Sequence, residues 1–357
     1  MSRDPEALTV AVTGLNATDN PAPGVAVIRA LRHDPRWRGR IVGLAYDALD
    51  SGAYARELVD DVFLIPYPSQ GVAALEARLR YIHEQTPLDV VMPTLDSELP
   101  GFIALEPTLA ELGIGAFMPT AEQLELRSKA RLPELGAMAD LRVPETRTLS
   151  GPEALVTLHE ELPYPIWIKG AFYGAARAAN LHEAVRAYHE VVARWGLPVL
   201  AQADAVGVEY DVAGVGDGRG GLVGAVPMRK TLLTDKGKGW AGVAVRDPAL
   251  LAMTARFAAA TRWRGPFELE LLKGDDGGWQ MLEVNPRFPA WIYLSAGAGV
   301  NLPRAAMRLA AGEAPEPAGP LRAGTMFVRI SLDQIADISE YEQLISRGEL
   351  RNIDQEG

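Results

Sequence analysis

At 357 residues the chain is too long for one ordinary hydrophobic core, so two or three packed units are expected. Its 48% hydrophobic and 23% charged residues describe a globular protein, and a net charge of −11 argues against duplex nucleic acid or an anionic membrane as the main partner. The lack of cysteine excludes disulfides, thiolate zinc sites and cysteine nucleophiles, and suits a cytoplasmic location.

Residues 8–14 form a short apolar run that stops at a glycine. A helix over 24–32, strands over 40–45 and 61–66, an amphipathic helix over 72–85 and a strand over 89–93 follow. Strand alternating with helix predicts a parallel, doubly wound sheet. The glycine fingerprint of dinucleotide sites is missing after the first run, where the chain reads Gly14-Leu15-Asn16-Ala17, so a nicotinamide or flavin site is poorly supported. Thr94-Leu95-Asp96-Ser97-Glu98 lies at the carboxyl end of a strand, where such sheets bind ligands. Thr94 or Asp96 is also placed to cap the helix carrying Leu99 to Leu105, and the cap is the preferred reading.

The pattern changes near Pro119. Residues 121–131 read as a helix that brings Arg127, Lys129 and Arg131 together, and Pro133 ends or restarts it. Beyond a linker at 141–144 come a helix near 151–161 and a strand over 164–170 that finishes at Lys169 and Gly170. A helix over 181–195, strands over 198–203 and 207–213, a turn at 216–221 and a return strand over 222–229 continue the chain. Residues 231–242, with Lys236, Lys238 and three glycines, predict a mobile loop able to close over a ligand.

Residues 266–272 and 279–285 read as two strands joined by Asp275-Asp276-Gly277-Gly278. If those four residues are the whole loop, Glu270 faces Glu283 and Glu268 faces Asn285, while alternation puts Met281, Glu283 and Asn285 on one face. Bare carboxylates directly opposite each other repel, and a bound cation turns that liability into a site. Oxygen ligands alone favour magnesium or manganese over zinc. Arg287, just past the strand end, is placed to meet an anion brought in with the metal. An acidic, solvent-facing hairpin is the alternative reading of the same residues. A helix running to about Ala311, a linker at 312–320, a strand over 325–330 and an acidic helical tail complete the pass. There is no GxxxxGK[ST] and no GxSxG, and His33, His83, His159, His182 and His189 form no metal-spaced pair, so serine and zinc hydrolases lack their parts.

Taken in order, Lys129, Lys169, Glu209, Glu270 and Glu283-Val284-Asn285-Pro286-Arg287-Phe288 resemble the ATP-grasp superfamily, in its carbamoyl phosphate synthetase and biotin carboxylase-like branch. Pro93 to Glu98 resembles the phrase that closes that family's N-terminal domain, and residues 297–303 its following loop and helix. The resemblance implies an α/β ATP-grasp fold: an N-terminal doubly wound parallel-sheet (pre-ATP-grasp) domain over 1–118, a central lid subdomain over 119–203, and a C-terminal subdomain with the metal strand over 204–357. It implies ATP and Mg2+ (or Mn2+) as cofactors. Lys129 and Lys169 would meet the phosphates, Gln202, Ala203 and Ala205 would form the adenine hinge, and Glu209 would hold the ribose. Glu270, Glu283 and Asn285 would be the metal ligands, and Arg287 would meet the transferred phosphoryl group or the acyl phosphate.

The implied activity is ATP-dependent carboxylate–amine ligation through an acyl phosphate, releasing ADP and phosphate. Its partners would be small-molecule carboxylate and amine substrates, with no nucleic acid and no membrane, and a homodimer is allowed. A bicarbonate-activating carboxylase component and a non-catalytic nucleotide-binding module are the alternatives. The lid, Gly170-Ala171-Phe172-Tyr173-Gly174-Ala175-Ala176-Arg177, departs from the family in being poor in glycine and carrying two aromatics. That departure favours the module, unless Arg177 compensates for the missing backbone cradle.

Overall fold

The computed structural model describes residues 4–18, 20–233 and 239–351. Four short strands rich in β-branched residues, β1 (Thr9–Thr13), β2 (Arg40–Ala45), β3 (Asp61–Leu64) and β4 (Val90–Met92), make a parallel sheet in the order β3-β2-β1-β4. Val10, Val12, Ile41 and Val90 pack into one core and Ala11, Val42, Leu44 and Val91 into another, so the sheet is buried on both faces. After β1 the chain turns at Gly14, whose φ is +70°, and passes so close to Thr94 that a Cβ there would collide with the Thr94 hydroxyl. That contact sets the first loop directly over the carboxyl end of β4.

The expected helix over 121–131 is broken. Helix Ala121–Leu126 starts at a capping box between Thr120 and Gln123, and Lys129–Arg131 form a separate tight turn before helix Leu132–Ala139. The second sheet is antiparallel, in the order β5 (Thr146–Leu149), β8 (Val199–Ala203), β6 (Ile166–Gly170), β7 (Ala175–Ala178). Helix Leu181–Trp195 covers it, placing Ala184, Ala187, Tyr188 and Val191 against Ile166 and Ile168. His182 and His189 on that helix are both exposed.

The third sheet is six-stranded: β9 (Val208–Asp217), β10 (Leu222–Leu233), β11 (Gly239–Ala244), β12 (Arg264–Lys273), β13 (Trp279–Asn285) and β14 (Met326–Val328), arranged β13-β12-β9-β10-β11-β14. The mobile loop expected over 231–242 is corrected at its two ends, where 231–233 extend β10 and 239–242 open β11, because pairing with a neighbour outweighs glycine content. Lys236 and Lys238 lie outside the described residues. Helix Pro248–Thr261, which the sequence reading passed over, packs Phe257 against Trp263 and Phe267 beneath this sheet, with ring centroids 5.3 and 5.1 Å apart.

Helix Ile338–Arg347 then leads to β15 (Glu349–Arg351), which pairs antiparallel with β3. The tail of the expected third unit thus returns to the first sheet. Among the described residues no helix is long and apolar enough to cross a membrane.

Candidate functional site

The three sheets enclose a cleft of about 1010 Å³. Its floor is the β12–β13 hairpin. Glu270 lies opposite Glu283 and Glu268 opposite Asn285, as the sequence predicts. The loop assumption behind that prediction is corrected: Lys273 pairs with Trp279, so five residues rather than four intervene, and a bulge between Glu270 and Leu271 restores the register. The bulge also breaks the expected alternation. Met281 is buried in the core with Val284, whereas Leu282 and Glu283 both line the cleft.

The acids on this floor are held by specific donors. Asn285 Nδ2 donates to Glu268 Oε2 at 2.9 Å and to Glu270 Oε1 at 3.0 Å, and Trp291 Nε1 donates to Glu268 Oε1 at 2.8 Å. Burial pushes the Glu268 carboxyl up, and the neighbouring Glu270 charge adds to the effect. Across β9, Asp211 sits opposite Glu270 and is itself buried, which raises its carboxyl well above the usual range. Lys230 Nζ lies 3.1 Å from Glu209 and 3.2 Å from Asp211. Burial alone would lower that ammonium, but the surrounding carboxylates, Asp211 foremost, hold it above its ordinary value.

Among the described residues no three His, Cys, Asp or Glu side chains form a metal cage by themselves. Two carboxylates facing each other beside an amide suit a hard, magnesium-type ion, which keeps waters and phosphate oxygens in its remaining positions. The donor set fits the expected cation.

Two lysines converge on the same region. Lys129, only 7% exposed, donates from Nζ to Glu283 Oε1 and to the Phe172 carbonyl, both at 2.7 Å. Lys169 leaves β6 on the cleft face and donates to Gln202 Oε1 at 2.6 Å. Burial lowers the Lys169 ammonium, partly offset by Glu283. Gln202, Ala203, Ala205 and Glu209 all line the cleft, where β8 gives way to β9. The segment expected as the lid, 170–177, consists of the end of β6, a tight turn over 171–174 and the start of β7, with Gly174 at φ +79° against the Trp195 indole.

Arg287 turns toward the first sheet. Its Nε donates to Asp96 Oδ2 at 2.5 Å, while Arg127 Nη1 lies 3.2 Å from Asp96 Oδ1 and stacks 5.0 Å from the Phe172 ring centroid. The expected capping role of Thr94 or Asp96 is therefore corrected. Helix Leu99–Ala104 has Glu98 at its N-cap with no side-chain cap, the Thr94 hydroxyl donates to the Thr13 carbonyl, and Asp96 serves the two arginines. Sequence reading also missed Trp167, Asp204 and Arg329 at the cleft wall. Alternation on β6 placed Trp167 on the face of Lys169 and was the available signal for it.

Residues 199–331 match the family described as "ATP-grasp in the biosynthetic pathway with Ter operon". Several solved structures are similar over most of the chain. The biotin carboxylase domain dimer of Hydrogenobacter thermophilus 2-oxoglutarate carboxylase, in complex with MgADP, ADP and bicarbonate, is 18% identical, with 87% of this chain and 71% of that one covered and a TM-score of 0.68. Campylobacter jejuni biotin carboxylase is 17% identical over 90% of this chain and 74% of that one, with a TM-score of 0.68. An L-amino acid ligase from Bacillus licheniformis is 16% identical over 85% and 74%, with a TM-score of 0.62. No curated protein matches the sequence significantly. At these identities the likeness establishes the fold, and the chemistry must be read from the residues.

Proposed function

We propose that the chain, which shares its fold with ATP-grasp enzymes and matches an ATP-grasp family over residues 199–331, is an ATP-dependent carboxylate–amine ligase that works through an acyl phosphate and releases ADP and phosphate. The observation that carries this reading is the convergence of Lys129 on Glu283, with Glu270 opposite it in register, at the floor of one cleft. The proposed units at 1–118, 119–203 and 204–357 would supply the walls of the cleft, with β15 of the last returning to the sheet of the first. A homodimer and a cytoplasmic location belong to the same proposal.

Glu270, Glu283 and the Asn285 amide oxygen would hold Mg2+ (or Mn2+), which when bound neutralises phosphate charge. Lys129 and Lys169 would receive the phosphates from two sides, each already fixed by a side-chain acceptor. Backbone groups of Gln202, Ala203 and Ala205 would hold the base. Glu209 pairs with Lys230 through Oε2 and keeps a second oxygen for the ribose hydroxyls. Arg287, set in place by Asp96, would bind the transferred phosphoryl group while the substrate carboxylate attacks it. The amine then attacks the acyl carbon and phosphate leaves. Orientation and fixed charge suffice for such chemistry, and no protein nucleophile is required.

The test is ADP release by the full chain with Mg2+, ATP and pooled amino acids. ADP formed only when carboxylate and amine are both present supports the ligase. Dependence on bicarbonate instead would favour the carboxylase alternative, and tight ATP binding without turnover would favour the binding module.

A further inference from the structure

The last strand of the third sheet, β14, is paired on one side only. Arg329 N–H donates to the Trp240 carbonyl and Ala244 N–H to the Thr325 carbonyl, so the odd-numbered residues turn their backbone groups toward β11. In an antiparallel ladder the residues between them turn the other way. Met326 and Val328 therefore direct N–H and C=O away from β11, and Ile330 continues the alternation.

The side chains alternate as well. Phe327 and Arg329 share the cleft face with Lys230 and Trp240, while Met326 and Val328 share the opposite face with Val243, Ala241 and Leu232. Helix Pro248–Thr261 buries that opposite face farther along the sheet, at Val212, Leu269 and Leu271, but it does not reach β14. Met326, Val328, Ile330, Leu332 and Ile335 are between 57% and 92% exposed. Native sheets guard an outer strand with lysine, proline or a bulge, and residues 324–332 have none of these. Residues 323–336 carry one cation, Arg329, and one acid, Asp333. Burial lowers the Arg329 guanidinium, Asp333 is exposed, and among the described residues neither has a partner of opposite charge.

We propose that β14 and the segment after it pair antiparallel with the same segment of a second copy of this chain, about a two-fold axis at Ser331, joining two six-stranded sheets into one. The outward-bonding residues then meet in hydrogen-bonded pairs, Ile330 with the partner's Leu332 and Val328 with the partner's Gln334. Between them, where opposed side chains lie closest, Arg329 meets the partner's Asp333 and Phe327 meets the partner's Ile335. The two-fold repeats every contact, so one segment supplies both members of each pair, and that points to another copy as the occupant. An axis at Arg329 would set the two arginines against each other; charge selects Ser331 instead. Because Arg329 lines the cleft, the partner contributes an acid beside its wall. This gives the homodimer included in the proposed function its contact surface, and it is independent of the ligase chemistry because its readout is mass rather than turnover.

The experiment is sedimentation velocity of the full chain over a dilution series, where the wild type should form dimers. Val328→Pro removes an N–H that points away from β11 and keeps the β11 pairing, so it should give folded monomers. Asp333→Arg sets like charges opposite each other twice and should weaken the dimer by about tenfold or more, and the double variant Arg329→Asp, Asp333→Arg should restore it. Asp333 forms no hydrogen bond or ion pair among the described residues, so its variant decides the matter if Val328→Pro does not fold. A wild type that stays monomeric throughout overturns the interface, as does a dimer indifferent to both Val328→Pro and Asp333→Arg. A folded double variant as weak as Asp333→Arg alone overturns the axis at Ser331.

Discussion

Asp96 and Arg287 are 191 positions apart and meet at 2.5 Å. The pair ties the carboxyl end of β4 to the residue just beyond β13, so the first sheet and the hairpin floor share one fixed point. Arg127 approaches the other oxygen of the same carboxylate at 3.2 Å, which adds the segment leading to the second sheet. One acid thus holds together three regions that surround the cleft.

Asp96→Asn should therefore damage both fold and turnover. Breaking one side of a buried pair costs about 3 kcal/mol, which a thermal or denaturant melt would register. A misplaced Arg287 should slow ADP release by about a hundredfold. Wild-type stability and turnover in the variant would remove Asp96 from this role.

The same pair sets a pH dependence. Burial pushes the Asp96 carboxyl up, but Arg287 and Arg127 outweigh it and leave the group below its ordinary value. A depressed carboxyl stabilises the fold fully above its unfolded pKa of about 4, and that contribution is lost as pH falls through the lower folded value. Acid melts of the wild type should show an extra loss below pH about 4 that Asp96→Asn lacks. Parallel pH profiles for the two proteins would contradict this.

Lys169 predicts the opposite balance. Its ammonium is buried and lowered, so the charged form is a cost to the fold, and the cost is relieved as pH rises through the folded pKa. Lys169→Met should hold or raise the melting temperature while weakening ATP binding by about tenfold or more. A variant that binds ATP as tightly as the wild type would take Lys169 out of the phosphate site.

Glu283→Gln should abolish metal-dependent ADP release and leave a folded protein, since the amide keeps the side chain's volume. Lys129 would lose its charge partner but retain the Phe172 carbonyl at 2.7 Å. Unchanged turnover in Glu283→Gln counts against the whole site.

Removal of divalent cations with a chelator should stop turnover, and Mg2+ or Mn2+ should restore it while Zn2+ does not, because the donors are hard oxygens with no thiolate or imidazole. Full activity in chelator would mean that Glu270 and Glu283 hold no ion.

The sequence carried the β/α alternation of the first unit and the helices over 24–32, 72–85 and 181–195, each of which depends on local periodicity. The facing of Glu270 with Glu283 came out as expected only because the bulge offsets a loop one residue longer than assumed. The sequence did not carry the bulge at Leu282, since an extra residue in one strand is invisible until its partner strand is known. Asp96 was assigned to the following helix because a cap is a local demand, whereas its two arginines arrive from distant segments. Strand propensity at 239–242 was masked by Gly239 and Gly242, which the sheet tolerates with β14 pairing beside β11. Thr9 to Val91 could be read as one unit; the last strand of its sheet could not, because nothing near residue 350 announces β3.

That last strand has a practical consequence. A fragment cut near residue 118 would strip β3 of its antiparallel neighbour and bare a row of unpaired amides and carbonyls beside Val62 and Phe63. Such an edge invites chain-to-chain association. Anyone isolating the first unit should graft residues 338–351 back onto it, or expect a sticky product.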